Sequence, residues 1–227
     1  MRGLRHTLFI AFLALLSLGG CRSAGEFASE TDQLIDRSRI TFQSMMSDNQ
    51  YPGLVDLASR AKAIIIVPSQ LRAAFLIGGR GGNAVMLVRN AQNTWSDPAF
   101  YTLGGLSFGL QIGGSSSEII IAVMTERGLN AVLDRQVTLG GDAGVAVGEL
   151  GKGVNASTGL GLKSDMYAFS RSEGLYVGAS LEGAVIAPRH TWNHRMYGSN
   201  VTPRNILIDR STSSNSQAAQ SLIKAMP

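Results

Sequence analysis

The sequence predicts an α+β domain, with N-terminal helices packed on a curved, mostly antiparallel, glycine-rich sheet or partly closed barrel. Three observations predict it. Helical spacing of apolar residues occurs near the two ends and in one internal segment. Short apolar runs separated by turn residues fill the middle. Finally, 21 of the chain's 27 glycines lie between Gly78 and Gly183. Glycine weakens a strand by about 0.5–1 kcal/mol relative to alanine, so this concentration requires an architectural reason. Bulges and corners that let a sheet bend supply one.

The chain opens with "MRGLRHTLFIAFLALLSLGGC". Arg2 and Arg5 precede an apolar core from Leu8 to Leu18 and a small-residue end, the layout of an export signal over residues 1–20. The core is shorter than the roughly 20 residues of a membrane span. Leu18-Gly19-Gly20-Cys21 resembles a bacterial lipobox, so Cys21 is the expected site of lipidation, with palmitate-type chains. It is the chain's single cysteine, so neither an internal disulfide nor a cysteine-based metal cluster can form. Each buried methylene contributes roughly 0.8 kcal/mol, enough for two or three acyl chains to hold a protein to a bilayer. The expected location is the cell envelope, lipid-anchored. Arg22, where some inner-membrane lipoproteins carry Asp, points to the outer membrane, facing the periplasm or the surface.

Removing residues 1–20 takes two arginines, so 20 basic residues become 18 against 16 acids and the formal charge falls from +4 to +2. That balance gives no basic stripe for nucleic acid. About 207 residues remain, enough for one domain with a proper core.

Residues 21–26 read as a polar tether and residues 27–209 as one domain. From Phe27 to Met46, the residues Phe27, Leu34, Ile35, Phe42, Met45 and Met46 share one helical stripe, with Ser29 or Thr31 as cap. The stripe reads as core-facing. Pro52 suits the first turn of a second helix, roughly 53–62. "AIIIVPS" reads as a buried strand stopped by Pro68. Strands of five to eight residues follow in "RAAFLIGG", "NAVMLVR", "SFGLQIG", "EIIIAVM", "AGVAVG", "DMYAFS" and "GLYVGASLEGAVI". "TERGLNAVLD" is the internal helix, capped by Thr125. "RHTWNHRMYG" predicts a short helix, and residues 210–227 a polar linker with a short C-terminal helix.

Catalytic patterns are sparse. His190 and His194 lie four apart, with metal-ligand spacing on a helix, but a third and fourth ligand are missing nearby. Ser115, Ser116, Ser117 and Glu118 lack the G-x-S-x-G elbow of a hydrolase. "VGELGKGV" places Gly153 where a P-loop needs Ser or Thr. The expectation is no enzyme, no catalytic residue, no metal and no cofactor. An envelope hydrolase is the least favoured reading.

"AKAIIIVPS", "GGRGGNAVMLVR", "WSDPAFYTLGGLSFGLQIG", "SSEIIIAVM" and "YAFSRSEGLYVGASLEGAVI" occur in the order and spacing of the SYLF family. The chain resembles that family over about Phe27 to Asp209. The resemblance implies a non-enzymatic module that binds phospholipids, phosphoinositides included. It also implies actin-type partners, which an exported bacterial protein meets only in a host. Six cations at predicted strand ends and turns are the headgroup candidates: Arg72, Arg80, Arg89, Lys152, Lys163 and Arg171, with Arg80 first. Each also reads as a solvated charge that discourages edge pairing. The alternative function is a structural or protein-interaction envelope lipoprotein with no lipid ligand beyond its own anchor.

Overall fold

A computed structural model describes residues 24–75, 77–108, 113–134, 136–140, 147–150, 164–174 and 183–227. The chain divides into two units, Met1–Glu30 and Thr31–Pro227, and the fold below belongs to the second. In chain order the elements are α1 (Ala24–Met46), α2 (Pro52–Arg60), β1 (Ala63–Phe75), β2 (Ile77–Val88), β3 (Ala99–Phe108) and β4 (Gly113–Val123). Then come α3 (Glu126–Asp134), β5 (Val137–Thr138), β6 (Val147–Leu150), β7 (Met166–Gly174), β8 (Val185–Pro188), α4 (His190–Tyr197), α5 (Pro203–Leu207) and α6 (Gln217–Ala225). Among these residues no helix is long and apolar enough to cross a membrane.

The strands form one curled sheet in the order β5-β8-β3-β2-β1-β4-β7-β6. Every pairing is antiparallel except β6 with β7. The α+β class and the curved antiparallel sheet expected from the sequence are both present. "AIIIV" and "EIIIAV" are continuous apolar runs because both faces of the central strands are covered. On the inner face, Ala63, Ile65, Val67, Met86, Tyr101, Leu103, Ile119, Ile121, Ala168 and Ile186 share a core with Leu129, Val132 and Leu133 of α3 and with Ile206 and Leu207 of α5. Ile64, Ile66, Val85, Leu87, Phe100, Ile120 and Phe169 alternate with them and are equally buried on the outer face. Full burial of one such side chain contributes about 1.5–3 kcal/mol.

Helices α1, α2 and α4 serve the outer face. α1 buries Leu34, Ile35, Phe42 and Met45, so these members of the predicted stripe face the core. Thr41 Oγ1 donates to Glu118 Oε1 on β4 at 2.7 Å, and Tyr51 Oη donates to the Ser170 carbonyl on β7 at 3.1 Å. On α4, Trp192 meets Phe100 edge-on with ring centroids 5.7 Å apart. The Asn193 side chain accepts from Phe100 N at 2.8 Å and donates to Phe100 O at 3.1 Å, closing the β3 backbone where its pairing with β8 ends.

Four local expectations are corrected. Pro68 does not stop a strand: β1 runs through it, and its registers with β2 and β4 both shift between Ile66 and Gln70. A bulge there removes the need for the N–H that proline lacks. "RAAFLIGG" is not a strand but the tip of a hairpin, since Phe75 pairs with Ile77. Strands β1 to β4 span 10 to 13 residues rather than five to eight, because the ladder continues through glycines taken as breaks. α1 begins at Ala24, so Ser29 and Thr31 lie inside it; Thr31 is buried instead of capping.

Candidate functional site

The predicted cations separate into different environments. Arg171 does not lie in a turn: it sits within β7, donating through Nε to Glu118 Oε2 at 2.7 Å and through Nη1 to Ser44 Oγ of α1 at 3.1 Å. With Thr41 on the other oxygen of Glu118, the trio fastens α1 to the sheet. Arg89 donates through Nη1 to the Ser59 carbonyl at 2.6 Å and lies 5.5 Å from the Trp95 ring centroid, tying α2 to the β2–β3 connection. Both are structural cations, and the acceptors of their side-chain hydrogen bonds lie 30 or more residues away in sequence.

Arg72 and Arg80 face each other directly across the β1–β2 ladder. The Arg72 side chain is outside the described set. Arg80 reaches across its β3 partner Gly105, with Nε 2.9 Å from where a Cβ at 105 would stand. Glycine at 105 is what leaves the guanidinium that path. Cys21, Lys152 and Lys163 lie outside the described residues.

The outer face carries a cleft of about 540 Å³ between α1 and strands β1 to β3. Leu34 and Arg37 form the helix wall, Leu71 the opposite wall, and Gly81, Asn83 and Gly104 the floor. Leu71 is 65% exposed, unusual for a leucine in a sheet. The bulge explains it, because the extra residue at Pro68 turns Leu71 to the outer face. Neither Arg37 nor Leu71 was singled out from sequence: Arg37 lies off the apolar stripe of α1, and Leu71 takes its outward side only from the register shift.

Ser116 Oγ meets Ser69 Oγ at 3.3 Å on the outer face, while Ser117 Oγ meets Ser172 Oγ at 2.8 Å on the inner one, so the consecutive serines do not form one constellation. His190 and His194 have ring centroids 6.0 Å apart on α4. Among the described residues no group of three His, Cys, Asp or Glu side chains is placed to hold a metal. Two groups near the β2–β3 connection have shifted protonation. Burial pushes the Tyr197 phenol, which donates to the Pro98 carbonyl at 2.6 Å, well above its ordinary value of 10.0. Burial also raises Asp97 above its ordinary 3.8, against the opposing pull of the Ser214 backbone and Arg210.

Residues 104–227, the part that runs from Gly104 of the cleft floor to the C-terminus, match the family model described as "Ysc84: Las17-binding protein actin regulator". Among curated proteins, LAS seventeen-binding protein 3 of Saccharomyces cerevisiae is 33% identical over 158 residues, 68% of this chain and 34% of its own length. Protein YSC84 of the same yeast is 34% identical over 154 residues, 66% of this chain and 33% of its own. SH3 domain-containing YSC84-like protein 1 of Homo sapiens is 31% identical over 151 residues, 66% of this chain and 44% of its own. The chain thus matches between a third and a half of the length of these relatives. The family match takes in the second half of β3, all of β4, the α3 helix and the whole C-terminal region, more than half of the chain, and on that extent the chain belongs to the Ysc84 family, the family of the SYLF resemblance.

Proposed function

We propose that the unit Thr31–Pro227 is a non-enzymatic phospholipid-binding module, held at a cell envelope through an acylated Cys21. The observation that carries it is the outer cleft, where exposed Leu71 stands opposite Leu34 and Arg37 over a glycine floor. An apolar side chain beside a cation is the pairing that an interfacial lipid offers a complement to: acyl surface for Leu71, a phosphate for Arg37. The glycine floor leaves room for a chain to lie close to the backbone. Arg89 and Arg171, tied into the fold, contribute little to this surface.

The test separates the cleft from the anchor. The Cys21→Ser chain is sedimented with phosphatidylglycerol and phosphatidylcholine vesicles over a salt series. The expected result is binding to the anionic vesicles that weakens with salt and falls about tenfold in Leu71→Glu and Arg37→Glu. Binding that ignores salt and both substitutions sinks the cleft reading. Mass spectrometry of Cys21 in the native chain tests the anchor separately; an unmodified thiol removes it.

A second reading follows from the relatives. Two of them are named for binding LAS seventeen or for being YSC84-like and SH3-containing, which supports a protein-interaction role for the shared domain, with actin-type partners in a host cell. Absence of vesicle binding at low salt favours that role.

A further inference from the structure

The floor of the outer cleft is polar at one level of the ladder and apolar at the next. Ser69 of β1 is the register partner of Asn83 on β2, and Asn83 is that of Thr102 on β3, so three polar side chains cross the floor in one row. Adjacent strands lie roughly 4.8 Å apart, which makes the row roughly 10 Å long. Leu71, Gly81 and Gly104 occupy the next level on the same face.

Each member of the polar row keeps hydrogen-bonding capacity. Asn83 Oδ1 accepts from Arg189 Nη1. A guanidinium only donates, so this bond fixes which end of the amide is oxygen and leaves the Nδ2 donors without a partner among the described residues. Thr102 Oγ1 donates to the Ala187 carbonyl at 3.4 Å and still has acceptor capacity. Among the described residues Ser69 Oγ meets only Ser116 Oγ, at 3.3 Å. On the helix wall, exposed Arg37 has no ion pair or hydrogen bond among the described residues.

The composition of the lining is selective. Its described residues include one cation and neither a carboxylate nor an aromatic ring. Ammonium and choline groups are held by carboxylates or by aromatic faces, so a zwitterionic headgroup finds no counterpart here for its positive end. One guanidinium matches the single charge of a phosphodiester, not the several charges of a polyphosphorylated headgroup. Hydroxyls, which both donate and accept, suit a row made of one amide and two hydroxyls.

Resting on the lipid reading of this cleft, we propose that it selects a glycerol-type headgroup: a phosphodiester on Arg37, with free hydroxyls on Ser69, Asn83 and Thr102. The selectivity lies in the polar row, whereas Leu71 and Arg37 serve any anionic lipid.

Phosphatidylmethanol, which has the charge of phosphatidylglycerol and no headgroup hydroxyl, separates the two contributions. The full-length Cys21→Ser chain is sedimented with vesicles of either lipid, equally diluted in phosphatidylcholine, at one low ionic strength. Phosphatidylglycerol binds about tenfold more tightly. Ser69→Ala and Asn83→Ala each weaken phosphatidylglycerol binding about fivefold and leave phosphatidylmethanol binding unchanged, while Arg37→Glu weakens both. Asn83→Ala also releases Arg189, so Ser69→Ala, the smaller change, carries the test if that variant does not fold. Soluble glycerophosphoglycerol competes weakly, because it offers Leu71 no acyl surface; displacement of the chain from vesicles by an equal concentration of the ester overturns the lipid source. Equal affinity for the two lipids, or a preference that both polar variants retain, overturns the headgroup selection and leaves the cleft reading standing. No binding to either lipid overturns both.

Discussion

At the residue scale, Gly82 shows what the glycines are for. A Cβ there would lie 2.6 Å from the Ser69 carbonyl oxygen, 2.9 Å from Val67 Cγ1 and 3.1 Å from Gln70 Cα. Two of these are backbone atoms of the β1 bulge and cannot swing away. Gly81, its neighbour, has nothing within 4 Å of the same position. Alanine at the two sites thus makes a controlled comparison. Gly82→Ala should cost about 1–3 kcal/mol through overpacking, whereas Gly81→Ala should stay within about 0.5 kcal/mol. Equilibrium urea unfolding measures both, and equal effects would show that the bulge does not need its glycine. The same bulge turns Leu71 outward and Gln70 inward, so one missing methyl group underlies the wall of the outer cleft.

Between elements, the junction of α3 with β7 depends on Asp165. Its carboxylate is 1% exposed, accepts from Thr125 Oγ1, and takes Arg127 Nε at 3.1 Å and Nη2 at 2.6 Å. Thr125 Oγ1 in turn accepts from Gly128 N at 3.1 Å, the cap expected for this helix. Hydrogen bonding to the carboxylate raises the Arg127 guanidinium above its ordinary value. Asp165→Asn preserves the shape but loses the charged acceptor, so it should destabilise by about 2 kcal/mol. Hydrogen exchange would show the loss first in α3; uniform loss across the sheet would place the role of Asp165 elsewhere. The contrast between Thr125 and Asp165 marks what the sequence makes legible. Helices and caps are local patterns, and α1, α2, α3 and α4 lie close to where periodicity puts them. The arms of the β1–β2 hairpin were misplaced because Phe75-Leu76-Ile77 contains none of the usual turn residues, while Pro68 carries a breaker signal that a bulge absorbs. Arg89 and Arg171 read as surface cations because Ser59 and Glu118 are remote in sequence. Gln70 and Leu71 acquire their sides only from the register shift, which no window of sequence contains.

For the unit as a whole, the C-terminal segment works as a strap over the β2–β3 connection. Arg210 donates to the Thr94 hydroxyl and carbonyl, both at 2.8 Å, and Trp95 Nε1 donates to the Pro227 carbonyl oxygen at 2.8 Å. Ser216 Oγ donates to Asp32 Oδ1 on α1 at 2.6 Å, so the strap joins the two ends of the unit. Asp97 sits beneath it, raised above 3.8 chiefly by burial. The sign follows from linkage: an acid whose folded value exceeds its unfolded one is held more tightly as the neutral form in the fold. Its favourable contribution is complete at low pH and disappears as pH rises through the folded value, leaving a penalty at neutral pH. Asp97→Asn keeps an acceptor for the Ser214 backbone without that penalty. The variant should therefore melt above the parent at pH 7 to 8, and the gap should narrow as pH falls toward 4. A gap that stays constant from pH 4 to 8 would mean that Asp97 acts through packing, and a gap of the opposite sign at pH 8 would mean that its charge helps hold the strap through Arg210. Because the strap also reaches Asp32, slower amide exchange in residues 208–227 of the variant should be accompanied by slower exchange in α1.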